Sequence, residues 1–121
     1  MEKKIIAVVD ELFFASKIRG TAEALGVTAS FARNIDVLLE TARRDRPSLI
    51  ICDLHSQKVD PIELAKQLKV DNELRSIPLL GFFSHVQTEL QQQAEEAGFD
   101  LTLPRSAFTR NLSAILMGEK I

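Results

Sequence analysis

The sequence predicts a single doubly wound α/β domain built on a five-stranded parallel sheet. Three observations predict it: short unbroken apolar runs, amphipathic helical stretches between them, and regular alternation of the two. The runs are Ile5 to Val9, Val27 to Ala32, Leu49 to Cys52, Ile77 to Phe83 and Phe99 to Leu103. Apolar runs of this length suit strands buried on both faces, as in parallel sheets. Strand followed by helix, repeated five times, puts helices on both faces and makes the crossovers right-handed.

The helices follow from apolar stripes with a helical period. Phe14, Ile18, Ala22 and Leu25 form the first, and Ile35, Leu38, Leu39 and Ala42 the second. Ile62, Leu64, Ala65 and Leu68 form the third, and Val86, Leu90, Ala94 and Ala97 the fourth. Phe108, Leu112, Ile115 and Leu116 form the last. Asp60-Pro61-Ile62-Glu63 reads as a capping box with proline at the first helical position. Ser84 with Gln87 three residues later is a second candidate box. Gly26, Gly98 and Gly118 stand at or just past helix ends, where a left-handed residue is wanted.

The bulk numbers narrow the function. The chain has 121 residues, enough for one domain with a real core. Its 15 Lys and Arg against 17 Asp and Glu give a formal charge of -2, without the basic footprint of nucleic-acid binding. One cysteine allows no internal disulfide and no cysteine-based metal site, so a reducing cytoplasm is the expected compartment. The first apolar run is too short to span a membrane, and no leader or separate output domain is expected.

Ligands of doubly wound sheets bind outside the carboxyl ends of the strands. The first strand ends in Asp10-Glu11 and the third in Asp53. One Asp after a strand is most often a turn or cap residue. Three carboxylates converging on one crevice are less easily explained that way. They would repel one another without a cation, and Mg²⁺, a hard oxygen-seeking ion, would relieve the repulsion.

These segments resemble the receiver domain of bacterial response regulators. Val8-Val9-Asp10-Glu11 is similar to that family's acidic pair, and Pro47 to Leu54 to its third strand, which ends in the phosphoacceptor aspartate. Val59-Asp60-Pro61-Ile62-Glu63-Leu64 is similar to its approach to the third helix. Ile77-Pro78-Leu79-Leu80 matches its fourth strand, and Ala97-Gly98-Phe99-Asp100 with Leu103-Pro104 matches the stretch around its fifth. The resemblance implies a flavodoxin-like fold with strand order 2-1-3-4-5, Asp53 as phosphoacceptor position, and Mg²⁺ held by Asp10, Glu11, Asp53 and the His55 backbone carbonyl. It further implies a cis Leu103–Pro104 peptide. It implies a histidine kinase or other signalling protein as partner, and a partner or homodimer surface on the fourth helix, fifth strand and fifth helix, through Gln91, Glu95 and Arg110.

The chain departs from the family where the phosphoryl group would be gripped. Phe83 stands at the Ser/Thr position, Leu103 at the Lys position, and Asp100 at that of the switch aromatic. Ser84 and Arg105 are the neighbouring substitutes. Ser84 reads better as a helix cap and Arg105 as a solvated surface residue. Ser56 and Gln57, where the family often has Met and Pro, read as loop changes. Cys52 reads as an inert buried thiol and His55 as a surface residue. The expectation is a degenerate receiver that acts as an interaction module rather than an enzyme. A working phosphoacceptor is the alternative, phosphorylated on Asp53 by a histidine kinase or a small phosphodonor.

Overall fold

The structure, a computed structural model, describes residues 3–84 and 87–119. Val86 of the fourth stripe and His85 lie outside the described residues. The elements follow in the order β1 (Lys3–Val8), α1 (Leu12–Leu25), β2 (Val27–Phe31), α2 (Ile35–Asp45), β3 (Leu49–Asp53) and α3 (Pro61–Val70). Then come β4 (Leu79–Phe83), α4 (Thr88–Ala97), β5 (Leu101–Pro104), α5 (Arg105–Arg110) and α6 (Leu112–Leu116). All pairings are parallel, in the order β2-β1-β3-β4-β5. The carboxyl ends of β1 and β3 are therefore neighbours, with Val8 beside Cys52.

Alternation along each strand divides the core into two apolar layers. Ile6, Val8, Ile50, Cys52, Leu79 and Phe83 pack with Leu38, Leu64, Ala65, Leu68 and Ala94 of α2, α3 and α4. Ile5, Ala7, Ile51, Leu80 and Phe82 pack with Phe14 and Ile18 of α1 and with Phe108, Leu112 and Ile115 of α5 and α6. Both faces of the central strands are covered, so their sequences run apolar without a polar break. Glycine is required at 81. A Cβ there would lie 2.8 Å from the Leu54 side chain and 3.1 Å from Phe99. No helix among the described residues is long and apolar enough to cross a membrane.

Asp60 caps α3 as expected. Its carboxylate accepts from the N–H groups of Ile62 (3.0 Å) and Glu63 (3.3 Å), and Pro61 opens the helix. Glu63 turns along the helix to accept from the Gln67 amide at 3.0 Å. Asp60→Ala is expected to cost about 1 kcal/mol. A urea midpoint that does not fall would remove the cap from the account. Gly26, Gly98 and Gly118 all have positive φ, at 74°, 128° and 78°. The cluster Arg43 to Arg46 closes α2, where Arg43 pairs with Asp71 and Arg46 with Glu73 across to the α3–β4 connection.

Three local expectations are corrected. The second capping box does not form at Ser84. Helix α4 begins at Thr88 with Gln87 in the cap position, where the amphipathic segment starts and Glu89 complements the first turn. Ser84 stays exposed in the bend after β4. The Leu103–Pro104 peptide is trans, with no cis bond among the described residues. Leu103 packs into the apolar layer while Pro104, extended at φ -59° and ψ 147°, passes the chain straight from β5 into α5. The last helix is two pieces, broken at Asn111, whose side-chain amide donates to the Ala107 carbonyl at 2.9 Å.

Candidate functional site

The crossovers bring the β1–α1 turn, the β3–α3 loop and the start of α5 together at the carboxyl end of the sheet. Asp53, the last residue of β3, is half-buried. Its Oδ1 accepts the His55 N–H at 2.9 Å. Burial pushes its carboxyl up, the His55 N–H and ring oppose that push, and Asp10 adds to it. Asp10 and Asp53 thus stand as an acidic pair at adjacent strand ends.

The β3–α3 loop binds the pair together. The Ser56 N–H donates to the Asp53 carbonyl at 3.0 Å, and the Ser56 hydroxyl donates to Asp10 Oδ1 at 2.7 Å. The Gln57 N–H donates to Asp10 Oδ2 at 2.8 Å. Ser56 and Gln57 looked like neutral loop changes in the sequence. Their role follows from composition: serine brings a hydroxyl, and a residue other than proline at 57 brings an N–H that proline lacks.

Glu11 does not join the pair. It sits at the N-cap of α1 and turns outward to Arg105, whose Nη2 donates to Glu11 Oε1 at 2.6 Å. That bond holds the Glu11 carboxyl below the usual range. Among the described residues, no three His, Cys, Asp or Glu side chains are gathered as a metal group. The expected convergence of three carboxylates is thus a pair plus one acid engaged elsewhere. The oxygen donors of Asp10 and Asp53 suit a hard cation, and Mg²⁺ needs only one or two carboxylates because it keeps several waters. Glu11 reaches such an ion only after leaving Arg105.

Arg105 is not a solvated bystander. Its guanidinium lies 4.0 Å from the centroid of the Phe14 ring, and its charge acts on Asp53. It is the first residue of α5 and shares a helix face with Phe108, three residues on. Phe108 stacks on Phe82 at 4.9 Å, and Phe14 meets Phe82 edge-on at 5.2 Å. The aromatic cluster therefore fixes where the start of α5 stands relative to α1.

Cys52 is buried beneath the pair, and burial pushes its thiol far up, which suits an inert side chain. An apolar depression of about 280 Å³, lined by Leu49, Pro78, Leu101 and Ile115, lies at the opposite end of the sheet from these groups.

The chain matches no family model. It is 31% identical over 98 residues to the polar-differentiation response regulator DivK of Brucella anthropi, covering 81% of this chain and 80% of that protein. The chain belongs to the response regulator receiver family. Solved structures carry the same fold at low identity. The chemotaxis protein CheY4 of Vibrio cholerae superposes with a TM-score of 0.84 at 19% identity, over 99% of this receiver and 100% of that chain. The receiver domain of the sensor histidine kinase PA1611 from Pseudomonas aeruginosa superposes with a TM-score of 0.82 at 17% identity, over 98% and 97% of the two chains. That structure is described with a magnesium ion in its active-site cleft.

At the three positions where the sequence was expected to depart from the family, the side chains are committed elsewhere. Phe83 is 5% exposed and packs in the α3–α4 layer. Leu103 packs against the α1–α5 layer. The Asp100 carboxylate accepts the Leu79 N–H at 2.8 Å and pairs with Lys69 at 3.6 Å, which ties it to the start of β4.

Proposed function

We propose that this receiver is a degenerate member of two-component signalling that works as a protein-interaction module, largely independent of phosphorylation, in the cytoplasm. The observation that carries this reading is the packing of Phe83, buried in one apolar layer, and of Leu103, partly buried against the other. Neither offers a donor to a phosphoryl group on Asp53, and an exchange at either site would have to rebuild packed core.

In this reading Asp53 is the phosphoacceptor position by descent. Asp10, Glu11, Asp53 and the His55 carbonyl are the ligands of a weakly held Mg²⁺. The ion supplies charge neutralisation, and the chain's own residues orient it. Mg²⁺ binding does not need the missing lysine and hydroxyl, so it can survive their loss.

The partner is a histidine kinase or another signalling protein, or a second copy of the chain. The surface proposed for it is α4, β5 and α5, where Glu95 and Arg110 are exposed and Gln91 is partly so. The double variant Glu95→Lys, Arg110→Glu should weaken capture of the partner at least about tenfold, because reversed charges across an interface repel. Asp53→Asn should leave capture within about twofold, since a modification shifts binding only through contacts that differ between states. Capture abolished by Asp53→Asn and untouched by the charge reversal would favour the alternative. That alternative is a working phosphoacceptor with Arg105 or Ser84 as substitute donor. The observation in its favour is the Glu11–Arg105 contact, which sets a guanidinium at the mouth of the acidic cleft.

A further inference from the structure

Three groups of this chain occupy the acidic cleft before any ion arrives. Ser56 and Gln57 each donate to one oxygen of Asp10. Arg105 holds Glu11 through two contacts, at 2.6 and 3.5 Å. The Arg105 side chain is 34% exposed and that of Glu11 54%, so the pair stands at the mouth of the cleft and can open without disturbing the core. The Phe14 ring supports the guanidinium from one side. A planar, permanently charged fork on an aromatic face is well arranged to keep a carboxylate, and a lysine would not reproduce both contacts.

We infer that Arg105 is a built-in latch on the metal site, a tethered cation that competes with a divalent ion for Glu11. The inference rests on the proposed Mg²⁺ site and adds its control. An arriving ion must release Glu11 from Arg105 and then tolerate a guanidinium close by. Both demands lower its affinity. Opening of the latch frees a guanidinium at the mouth of the cleft, so Mg²⁺ occupancy and the exposure of that positive group are linked.

The test is a titration of the full chain with MgCl₂, at ionic strength matched with NaCl. It is read from amide shifts of Asp53, His55 and Glu11 and from calorimetry. Arg105→Ala is expected to bind Mg²⁺ about 5- to 10-fold more tightly than the native chain, by removing an exposed pair and a like charge. Arg105→Lys, which keeps the charge but not the fork, should fall between them. Arg105→Gln provides a second neutral variant that retains stem packing, and unchanged melting of each variant would show that the fold is kept. Equal affinities in the native chain and both neutral variants would overturn the latch while leaving the metal site standing. Silence in every variant at millimolar Mg²⁺ would overturn the metal site and the latch together.

Discussion

Mixed with acetyl phosphate and Mg²⁺, the protein is expected to label at Asp53 at least about 10²-fold more slowly than a receiver that carries both phosphoryl donors. The expectation starts from charge. A transferring phosphoryl group spreads negative charge over its oxygens, and such sites gain rate by aiming fixed donors at that charge. Removing one preorganised donor costs about 10²–10³ in rate in comparable sites. By the proposed reading the lysine position is Leu103, packed against the α1–α5 layer, and the hydroxyl position is Phe83, packed in the α3–α4 layer. Phe83, 5% exposed, cannot leave its layer without opening a void, and neither side chain carries a donor. The charge of Arg105 acts on Asp53, but its guanidinium is engaged with Glu11 and Phe14. Intact-mass spectrometry over minutes to hours reads the outcome directly. Stable, stoichiometric labelling on the timescale of an ordinary receiver, lost in Asp53→Asn, would reject the degenerate reading. Arg105 would then be the first residue to examine as the replacement donor.

Phe82→Ala should have the largest effect on stability, about 3–5 kcal/mol. Phe82 is 1% exposed, stacks on Phe108 and takes the edge of Phe14. The loss combines transfer of the ring with the cavity left among neighbours that cannot fully collapse, and the aromatic contacts add to it. Domains of this size are stable by only about 5–15 kcal/mol, so the variant should approach marginal stability. Denaturant unfolding should show a lower midpoint at similar slope. A loss below about 2 kcal/mol would mean that α1 and α5 close over the gap. The same substitution removes the support beneath Phe14 and Phe108, and with it the anchorage of Arg105. Mg²⁺ binding and stability should therefore respond together in Phe82→Ala, whereas in Arg105→Ala only the first should.

The two layers of the core were legible in the sequence because they depend on local periods. Ile50, Ile51 and Cys52 alternate between layers by strand geometry alone, and Phe14, Ile18 and Ala22 share a helix face by the helical repeat. Asp60 and Pro61 announce α3 within three residues. Asp10 and Asp53 fall at strand ends that the doubly wound order makes adjacent, so their meeting followed once the fold was known. What only the tertiary structure decided was the partner of each acid. Glu11 and Arg105 are 94 positions apart, and nothing in either segment names the other. Their bond needs β5 to run through a trans proline directly into α5, and Phe108 to seat that helix against Phe14 and Phe82. Ser56 and Gln57 reach Asp10 only because the β3–α3 loop folds back over the end of β1. Period and caps are written in neighbouring residues, and a pattern read along the chain recovers them. Pairing across a cleft depends on distances that exist only after the chain has packed, where carboxylates in one crevice settle on the donors that topology brings nearest.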